Sequence, residues 1–213
     1  MLSVSGLCLD LPDRSTLFKD LGFSLRAGET LCVRGPSGCG KTTLLKAIAQ
    51  LQPYKSGLVA LDGRTPSDLG IPCWRASVLY VPQRPPVMPG TPNQFLDKIR
   101  QYKAQKARAP FADPADIALG WNLPLDTWDK PWNLISGGEI QRTALAIAIS
   151  QKPTVLLLDE PTSALDQETS LLVEQSLSAL TCVMVTHSAE QEQRVATRTL
   201  TLPGRNHSNG GGV

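Results

Sequence analysis

The sequence has no apolar run of about 18 residues, the length at which a segment becomes a candidate membrane-spanning helix. It also has no charged and then apolar leader, because residues 1–10 alternate apolar and polar side chains as a strand does. Neither sign of charge is in large excess, since 21 basic and 19 acidic residues leave a net charge of +2. That balance does not favour nucleic acid as a partner. We expect a protein of the cytoplasm, or one attached peripherally to the cytoplasmic side of an inner or plasma membrane.

Cysteine is sparse and follows no pairing pattern. The cysteines are odd in number and include no pair separated by two residues: Cys8, Cys32, Cys39, Cys73 and Cys182. We therefore expect reduced thiols in a reducing compartment, with neither a disulfide framework nor a zinc site.

The stretch Gly35–Thr42 has the spacing glycine, four residues, glycine, lysine and threonine. Nine consecutive residues are predicted to bind nucleotide phosphates: Gly35, Pro36, Ser37, Gly38, Cys39, Gly40, Lys41, Thr42 and Thr43. Glycines let the backbone approach closely, and successive N–H groups then form a cradle for anionic oxygens. Lys41 can reach the β and γ phosphates, and Thr42 can offer its hydroxyl to magnesium. A flexible glycine turn is the simpler alternative, but it leaves the lysine, the threonine and both flanks of the loop unexplained.

The flanks of this loop have the order that a phosphate-binding loop requires. Residues 30–34 are predicted to form a short apolar strand before it, and residues 42–49 have helical periodicity after it. Further strands are predicted at 2–11, 23–26, 58–61, 78–81, 155–158 and 181–186. The predicted class is α/β, with a P-loop NTPase core, a mostly parallel sheet, an N-terminal antiparallel β element and an inserted helical lobe. We predict a single domain over 1–205 and a disordered tail at 206–213.

The stretch from Arg84 to Pro92 is rich in proline and marks the boundary of the inserted lobe, because it cannot continue as regular structure. Thr91 and Asp113 each precede a proline as a helix N-cap does, so helices are predicted from 91 to about 105 and from 113 onward. Residues 82–133 are thus predicted to be a mainly helical insertion, and the complete lobe spans approximately 84–150. Its three tryptophans are interpreted as core: Trp121, Trp128 and Trp132.

The lobe also carries a basic run, made of Lys98, Arg100, Lys103, Lys106 and Arg108. Such a run is usually a solvated face. Docking to a partner or to anionic lipid is the second interpretation, and the sequence leaves both open.

Ser136-Gly137-Gly138-Glu139 has the spacing of a capping box and precedes a helical pattern that reaches Ser150. The two glycines also leave backbone N–H groups open to a second anion. Taken alone, the motif fits either capping only or capping with phosphate binding.

Two buried strands are predicted to deliver polar residues to one edge of the sheet. The apolar run 155–158 ends at Asp159 and Glu160, and the run 181–186 ends at His187. The carboxyl ends of parallel strands are where an open α/β sheet places its chemistry. A lone histidine is more often structural, but this one is placed to reach a γ-phosphate.

With these motifs in order, the chain resembles the nucleotide-binding subunit of ATP-binding cassette (ABC) transporters over nearly its whole length. The resemblance rests on six features: the Walker A loop at 35–42, Gln83 after a strand, Ser136–Glu139 with Gln141 and Arg142, the Walker B run ending at Asp159-Glu160, Ser163–Asp166, and His187.

The resemblance implies ATP and Mg²⁺ as cofactors and a role for each motif. Lys41 and Thr42 would hold phosphates and magnesium, and Asp159 would support the metal. Glu160 would polarise the attacking water, and His187 would contact the γ-phosphate. The remaining implied sites lie elsewhere: Gln83 at magnesium, Ser136, Gly137, Gly138 and Glu139 on the ATP of an opposing protomer, and Asp166 at the dimer seam.

The implied partners are a second copy of the chain, with two ATP molecules sandwiched between the protomers, and a separate transmembrane permease subunit. Membrane association would be peripheral, through that permease, and no nucleic acid is expected. Hydrolysis of ATP to ADP and phosphate would drive transport.

Three features depart from the usual family pattern or refine it. The aromatic that stacks on adenine is replaced by Leu9, Asp10 and Leu11, which puts base recognition in question. Glu139 stands where glutamine is commoner in the signature. Residues 86–91 are more similar to exporters than to importers, and to small metal-exporter ATPase subunits in particular.

Other P-loop proteins fit less well. A chromosome or DNA-repair ATPase of the same superfamily, acting on nucleic acid, would need a coiled-coil or zinc insertion that the sequence lacks. A tandem translation-type ATPase would carry two cassettes. A P-loop kinase or GTPase would leave Ser136–Glu139 and His187 without a role.

Overall fold

The structure is a computed structural model that describes residues 1–10 and 16–204. Its strands are β1 (Leu2–Asp10), β2 (Thr16–Leu25), β3 (Thr30–Arg34), β4 (Ser56–Leu61), β5 (Val78–Val81), β6 (Val155–Asp159), β7 (Cys182–Val185) and β8 (Arg198–Thr201). Its α-helices are α1 (Lys41–Ile48), α2 (Pro66–Leu69), α3 (Ile71–Ser77), α4 (Pro92–Arg100), α5 (Lys103–Lys106), α6 (Pro114–Leu119), α7 (Gly137–Ser150), α8 (Gln167–Leu177) and α9 (Ala189–Val195). Two short 3₁₀ segments lie at Leu125–Asp129 and Trp132–Leu134.

The strands form two sheets. An antiparallel sheet has the order β2-β1-β4, and a five-stranded sheet has the order β5-β6-β7-β3-β8 with parallel pairing throughout. This confirms the α/β class, the mostly parallel sheet and the N-terminal antiparallel element. The carboxyl ends of β3 and β6 lie on the two sides of β7, which brings the loops after them to the same edge.

The second strand is longer than predicted. The sequence indicated only residues 23–26, whereas β2 begins at Thr16. Register shifts interrupt its pairing with β1, and the left-handed backbone of Asp20 (φ 54°) breaks the alternation of buried and exposed side chains. Without a regular period of two, the strand left little signal in the sequence. Predicted residue Leu11 and the predicted tail at 206–213 lie outside the described residues.

Two hydrophobic cores lie on opposite faces of the parallel sheet. Val155 and Leu157 of β6 face the antiparallel sheet and α1, whereas Leu156 and Leu158 face α7 and the lobe. The predicted lobe tryptophans belong to the second core, with Trp121, Trp128 and Trp132 at most 3% exposed. Their interpretation as core is therefore confirmed.

The predicted helix from 91 to about 105 is wrong in its second half. Thr91 caps α4 as predicted, with its hydroxyl accepting from the Gln94 N–H at 3.3 Å, but the helix ends at Arg100. Arg100 then donates to the Ala112 carbonyl at 2.8 Å, and Arg108 donates to the Lys152 carbonyl at 2.6 Å. These tertiary hydrogen bonds replace the continued helix with a turn and the short helix α5.

No helix within the described ranges combines the length and the apolar character needed to cross a membrane.

Candidate active site

The loop after β3 turns tightly into α1. Gly40 has φ 101°, and a Cβ there would lie 2.7 Å from Leu17 Cδ2, so β2 packs directly on this glycine. A Cβ at Gly35 would lie 2.9 Å from the carbonyl oxygen of Leu202. Both positions therefore require glycine, and the predicted strand, loop and helix order is present.

The ammonium of Lys41 folds back over this loop. Lys41 Nζ donates to the carbonyl oxygens of Gly35 at 2.9 Å and Pro36 at 3.1 Å, and the residue is only 7% exposed. Carbonyl dipoles solvate a cation without neutralising it. The loop therefore presents a buried positive charge at the N-terminus of α1, where an anion is favoured.

Asp159, at the end of β6, accepts two hydrogen bonds on one carboxylate oxygen. Thr42 Oγ1 donates to its Oδ2 at 2.8 Å, and the Tyr80 hydroxyl donates to the same atom at 3.1 Å. Burial, and then the negative charge of Asp159, raise the pKa of Tyr80 well above its usual range, so its hydroxyl stays protonated. A hydroxyl and a carboxylate are hard oxygen ligands of the kind that Mg²⁺ takes beside nucleotide phosphates, so these residues fit that ion.

Glu160 is held between Gln83 and His187. Gln83 Nε2 donates to Glu160 Oε2 at 2.8 Å, and His187 Nε2 lies 3.1 Å from Glu160 Oε1. The backbone of Glu160 is left-handed (φ 49°), a conformation that non-glycine residues rarely adopt. The Glu160 N–H donates to the Val185 carbonyl at 2.9 Å, which fixes this conformation.

A cleft of about 320 Å³ opens between the loop and these side chains. It is lined by Ser37, Gly38, Gly40, Lys41, Thr42, Thr43, Glu160, Val185 and His187. The structure thus brings most of the predicted phosphate-binding residues to one place with Glu160 and His187. Asp159 and Gln83 join the cleft through their contacts with Thr42 and Glu160.

The motif Ser136–Glu139 caps α7 as predicted. The Ser136 hydroxyl accepts from the Glu139 N–H at 3.3 Å, and Glu139 Oε2 accepts from the Ser136 N–H at 2.7 Å. These hydrogen bonds lower the pKa of Glu139. A Cβ at Gly138 would lie 3.1 Å from the Ala164 carbonyl oxygen, which is a tight contact, whereas Gly137 has open space beside it. Among the described residues that line the cleft, none comes from this motif.

Asp166 lies at the start of α8, outside the residues that line the cleft. Its carboxylate accepts from the N–H of Thr169 at 2.8 Å and from the Thr169 hydroxyl at 2.9 Å, and these bonds lower its pKa. The structure assigns Asp166 a capping role within its own chain.

Gln141 links α7 to the active-site loops, a contact that sequence reasoning did not predict. Its buried side-chain amide donates to the Glu160 carbonyl at 3.1 Å and accepts from the Ala164 N–H at 2.9 Å. No local pattern could have identified this role, because the partners lie 19 and 23 residues further along the chain.

A second missed feature lies beside His187. Glu174 of α8 is 5% exposed, and Arg194 of α9 donates to it from Nε at 2.7 Å and from Nη2 at 2.9 Å. Gln191 donates to Glu174 at 3.0 Å and to Thr162 at 2.8 Å. This network ties the loop after Glu160 to the helix that follows His187.

An apolar groove of about 450 Å³ separates β5 from the lobe. Its lining includes Met88, Phe95, Ile99 and Ile147. Three polar atoms in residues of the lining are buried without a hydrogen-bond partner among the described residues: Gln105 Oε1, Trp132 Nε1 and Gln151 Oε1.

Comparison of the sequence with known proteins finds relatives of this chain. Residues 18–163 match the family model described as ABC transporter. The chain is 34% identical to the Fe(3+) ions import ATP-binding protein FbpC 1 of Rhodococcus jostii (strain RHA1), over 88% of this chain and 56% of that protein. It is 32% identical to the phosphate import ATP-binding protein PstB of Tropheryma whipplei (strain TW08/27), over 85% of this chain and 76% of that protein. The chain thus spans only about half the length of the FbpC relatives.

Solved structures share the fold. The dimeric structure of MJ0796, a bacterial ABC transporter cassette, superposes with a TM-score of 0.81 at 24% identity, covering 95% of this chain and 94% of that one. A bacterial Atm1-family ABC exporter with ATP bound superposes with a TM-score of 0.78 at 22% identity, covering 94% of this chain and 37% of the exporter.

Proposed function

Since the chain belongs to the ABC transporter family, we propose that it binds and hydrolyses ATP and thereby drives a separate transmembrane subunit. One observation carries this proposal. The carboxylate of Glu160 is held by Gln83 and His187 at the edge of a cleft whose floor is the cation-bearing loop at Lys41.

The proposed nucleotide site is the loop from Gly35 to Thr43. Its backbone N–H groups and the Lys41 ammonium would hold the phosphates. Thr42, Asp159 and Gln83 would hold Mg²⁺, which when bound would neutralise developing negative charge on the phosphates. Lys41 would exchange its two carbonyl acceptors for phosphate oxygens, which carry full charge.

In the proposed reaction, Glu160 orients a water molecule at the γ-phosphate and His187 contacts that phosphate. Both oxygens of the Glu160 carboxylate are engaged by side chains. Each of these oxygens can accept a second hydrogen bond, so the carboxylate can also accept one from water while Gln83 and His187 hold it in place.

The second half of each site would come from a second copy of the chain. The support is positional: Ser136 and Gly137 stand at the free N-terminus of the 14-residue helix α7, away from the cleft of their own chain. A helix N-terminus favours an anion, so Ser136, Gly137, Gly138 and Glu139 would complete the ATP site of the opposing protomer, with Asp166 at the seam. We propose a head-to-tail homodimer that encloses two ATP molecules.

The apolar groove beside β5 is the proposed docking site for the transmembrane permease subunit. The lining of this groove is mostly apolar and includes Met88, Phe95 and Ile99, so an apolar segment of the permease can pack into it. Peripheral attachment to the cytoplasmic side of the membrane would follow from this contact. The domain bounds of 1–205, with a lobe at approximately 84–150, are part of the same proposal.

The direction of transport is a separate question. Residues 86–91 resemble exporters, whereas FbpC and PstB are named as import proteins. We keep export as a prediction, which substrate movement in vesicles carrying the complete transporter would test.

The experiment that tests the proposed site compares Lys41→Ala with Lys46→Ala, a substitution on the same helix outside the cleft. Steady-state phosphate release should fall by about 100-fold or more in Lys41→Ala, because the loop loses its only side-chain cation. Lys46→Ala should retain the wild-type rate. Equal rates in Lys41→Ala and wild type would remove the site assignment.

A further inference from the structure

Tyr80 contacts the metal-site carboxylate from a strand that the sequence marked only as apolar. Its hydroxyl donates to Asp159 Oδ2 at 3.1 Å, the same atom that receives the Thr42 hydroxyl at 2.8 Å. The contact follows from the sheet register, since Tyr80 of β5 lies beside Leu157 of β6, two residues before Asp159. Among the described residues, no hydrogen bond reaches Asp159 Oδ1.

The hydroxyl of Tyr80 is not needed for packing. The half-buried ring packs against the core that contains α1, where a phenylalanine ring would fill the same space. The one interaction that phenylalanine would lose is the donation to Asp159. A buried hydroxyl also needs a partner, and Asp159 supplies it.

The Thr42 and Tyr80 hydroxyls, which both donate to Oδ2, would have different roles once ATP and magnesium bind. In the proposed function, the Thr42 hydroxyl also binds the metal through a lone pair. Its hydrogen bond to Asp159 therefore depends on where the metal lies. The Tyr80 hydroxyl is not proposed to bind the metal. It can hold Oδ2 in place, and with it the plane of the carboxylate, whether or not the nucleotide is bound.

We propose that Tyr80 is a positioning residue, which orients the Asp159 carboxylate for magnesium through the hydrogen bond to Oδ2. This inference rests on the proposed function, because it assumes that Asp159 supports the metal of bound ATP. Removing the hydroxyl leaves Thr42 as the one side-chain donor on Oδ2 among the described residues, so the carboxylate is held less firmly. Magnesium then binds an acceptor that is less well ordered.

The test is a magnesium titration of ATP binding, measured by isothermal titration calorimetry in the full chain carrying Glu160→Gln, so that turnover does not interfere. Adding Tyr80→Phe should raise the magnesium concentration that gives half of the affinity gain by about three- to tenfold, the usual net effect of one hydrogen bond. ATP affinity in EDTA should change by less than about twofold, since the phosphate loop is untouched.

Tyr54→Phe is the matched control, because Tyr54 is also partly buried against the same core and no hydrogen bond of its hydroxyl is described. It should leave both measurements unchanged. An unchanged or lower magnesium midpoint in Tyr80→Phe would overturn the positioning role, and so would an equal loss of ATP affinity with and without magnesium. A parent protein whose ATP binding ignores magnesium would instead overturn the proposed function itself, and the positioning role with it.

Discussion

His187 Nε2 lies 3.1 Å from Glu160 Oε1, so the side chains at the ends of two adjacent parallel strands meet over the phosphate-binding loop. The contact is within hydrogen-bond range although neither residue is close to the other in sequence. It brings together the residue proposed to orient water and the residue proposed to contact the γ-phosphate. A change at Glu160 alone should therefore block hydrolysis and leave ATP-dependent assembly intact.

The first prediction concerns assembly. Glu160→Gln keeps the shape of the side chain and removes its negative charge, while Lys41, Thr42 and Asp159 remain to bind ATP and magnesium. Hydrolysis should fall by about 100-fold or more, and a closed dimer should accumulate in ATP because the step that releases it is blocked. Size-exclusion chromatography with light scattering measures this directly.

Two variants in the same background sharpen that result. Ser136→Arg or Gly137→Asp should dissolve the dimer, because a bulky or anionic side chain would occupy the proposed phosphate site at the N-terminus of α7. Lys19→Glu, on the exposed face of β2, is the control and should leave the dimer intact. A Glu160→Gln protein that binds ATP but stays monomeric at high concentration would contradict a sandwich dimer of isolated subunits.

The second prediction concerns recognition of the nucleotide base. Neither Leu9 nor Asp10 has an aromatic ring to stack on the base. Leu9 is also buried, and Asp10 pairs with Lys55 at 2.8 Å, whereas Leu11 lies outside the described residues. Loss of ring stacking forfeits about 1 kcal/mol, so ATP and GTP should compete within about tenfold of each other. Competition of each nucleotide against a fluorescent ATP analogue gives the ratio. A preference for ATP of 100-fold or more would mean that another group reads the base.

The third prediction concerns the basic run of the lobe. Arg100 and Arg108 are committed to carbonyl oxygens of neighbouring segments, so the lysines carry any exposed charge. If the run docks a membrane partner, Lys103→Glu should weaken co-purification with the permease about three- to tenfold, while basal hydrolysis changes little. Lys19→Glu is again the control for a charge reversal elsewhere. Equal recovery of the permease with both variants would leave the run as a solvated face.

The fourth prediction concerns stability. Arg194→Gln removes both guanidinium donors and leaves the buried Glu174 carboxylate with Gln191 as its remaining side-chain donor. The free energy of unfolding should fall, because the buried carboxylate loses two donors, but by less than for a fully buried pair since Arg194 itself is exposed. Urea unfolding followed by circular dichroism measures the change. Arg198→Gln, which loses one hydrogen bond at an exposed position, should cost about 1 kcal/mol or less.

Local chemistry explains what the sequence could predict. The capping boxes at Thr91 and Ser136 use residues three apart, and the phosphate loop is contiguous, so each was visible in a short window. The all-apolar run of β6 was equally plain, because a strand covered on both faces needs no polar alternation.

Contacts between distant segments explain what the sequence could not predict. The Tyr80 hydroxyl and Asp159 are 79 residues apart, and Arg194 and Glu174 lie on different helices. The end of α4 at Arg100 and the irregular β2 depend on tertiary hydrogen bonds and register shifts that no single window contains. The sequence predicted the site residues by type and order. It could not predict that Gln83 and His187 contact the two carboxylate oxygens of Glu160.

The amide of Gln141 has a consequence for cooperativity between the two nucleotides of a dimer. Gln141 is five residues beyond Ser136, so about 7.5 Å of helix separates the proposed contact with the partner's ATP from the hydrogen bond to the Glu160 carbonyl. A helix transmits a shift along its axis without bending over so short a span. A shift caused by the nucleotide of the neighbouring protomer would thus reach the backbone of Glu160. The rate of hydrolysis should then rise with ATP concentration more steeply than a single independent site allows.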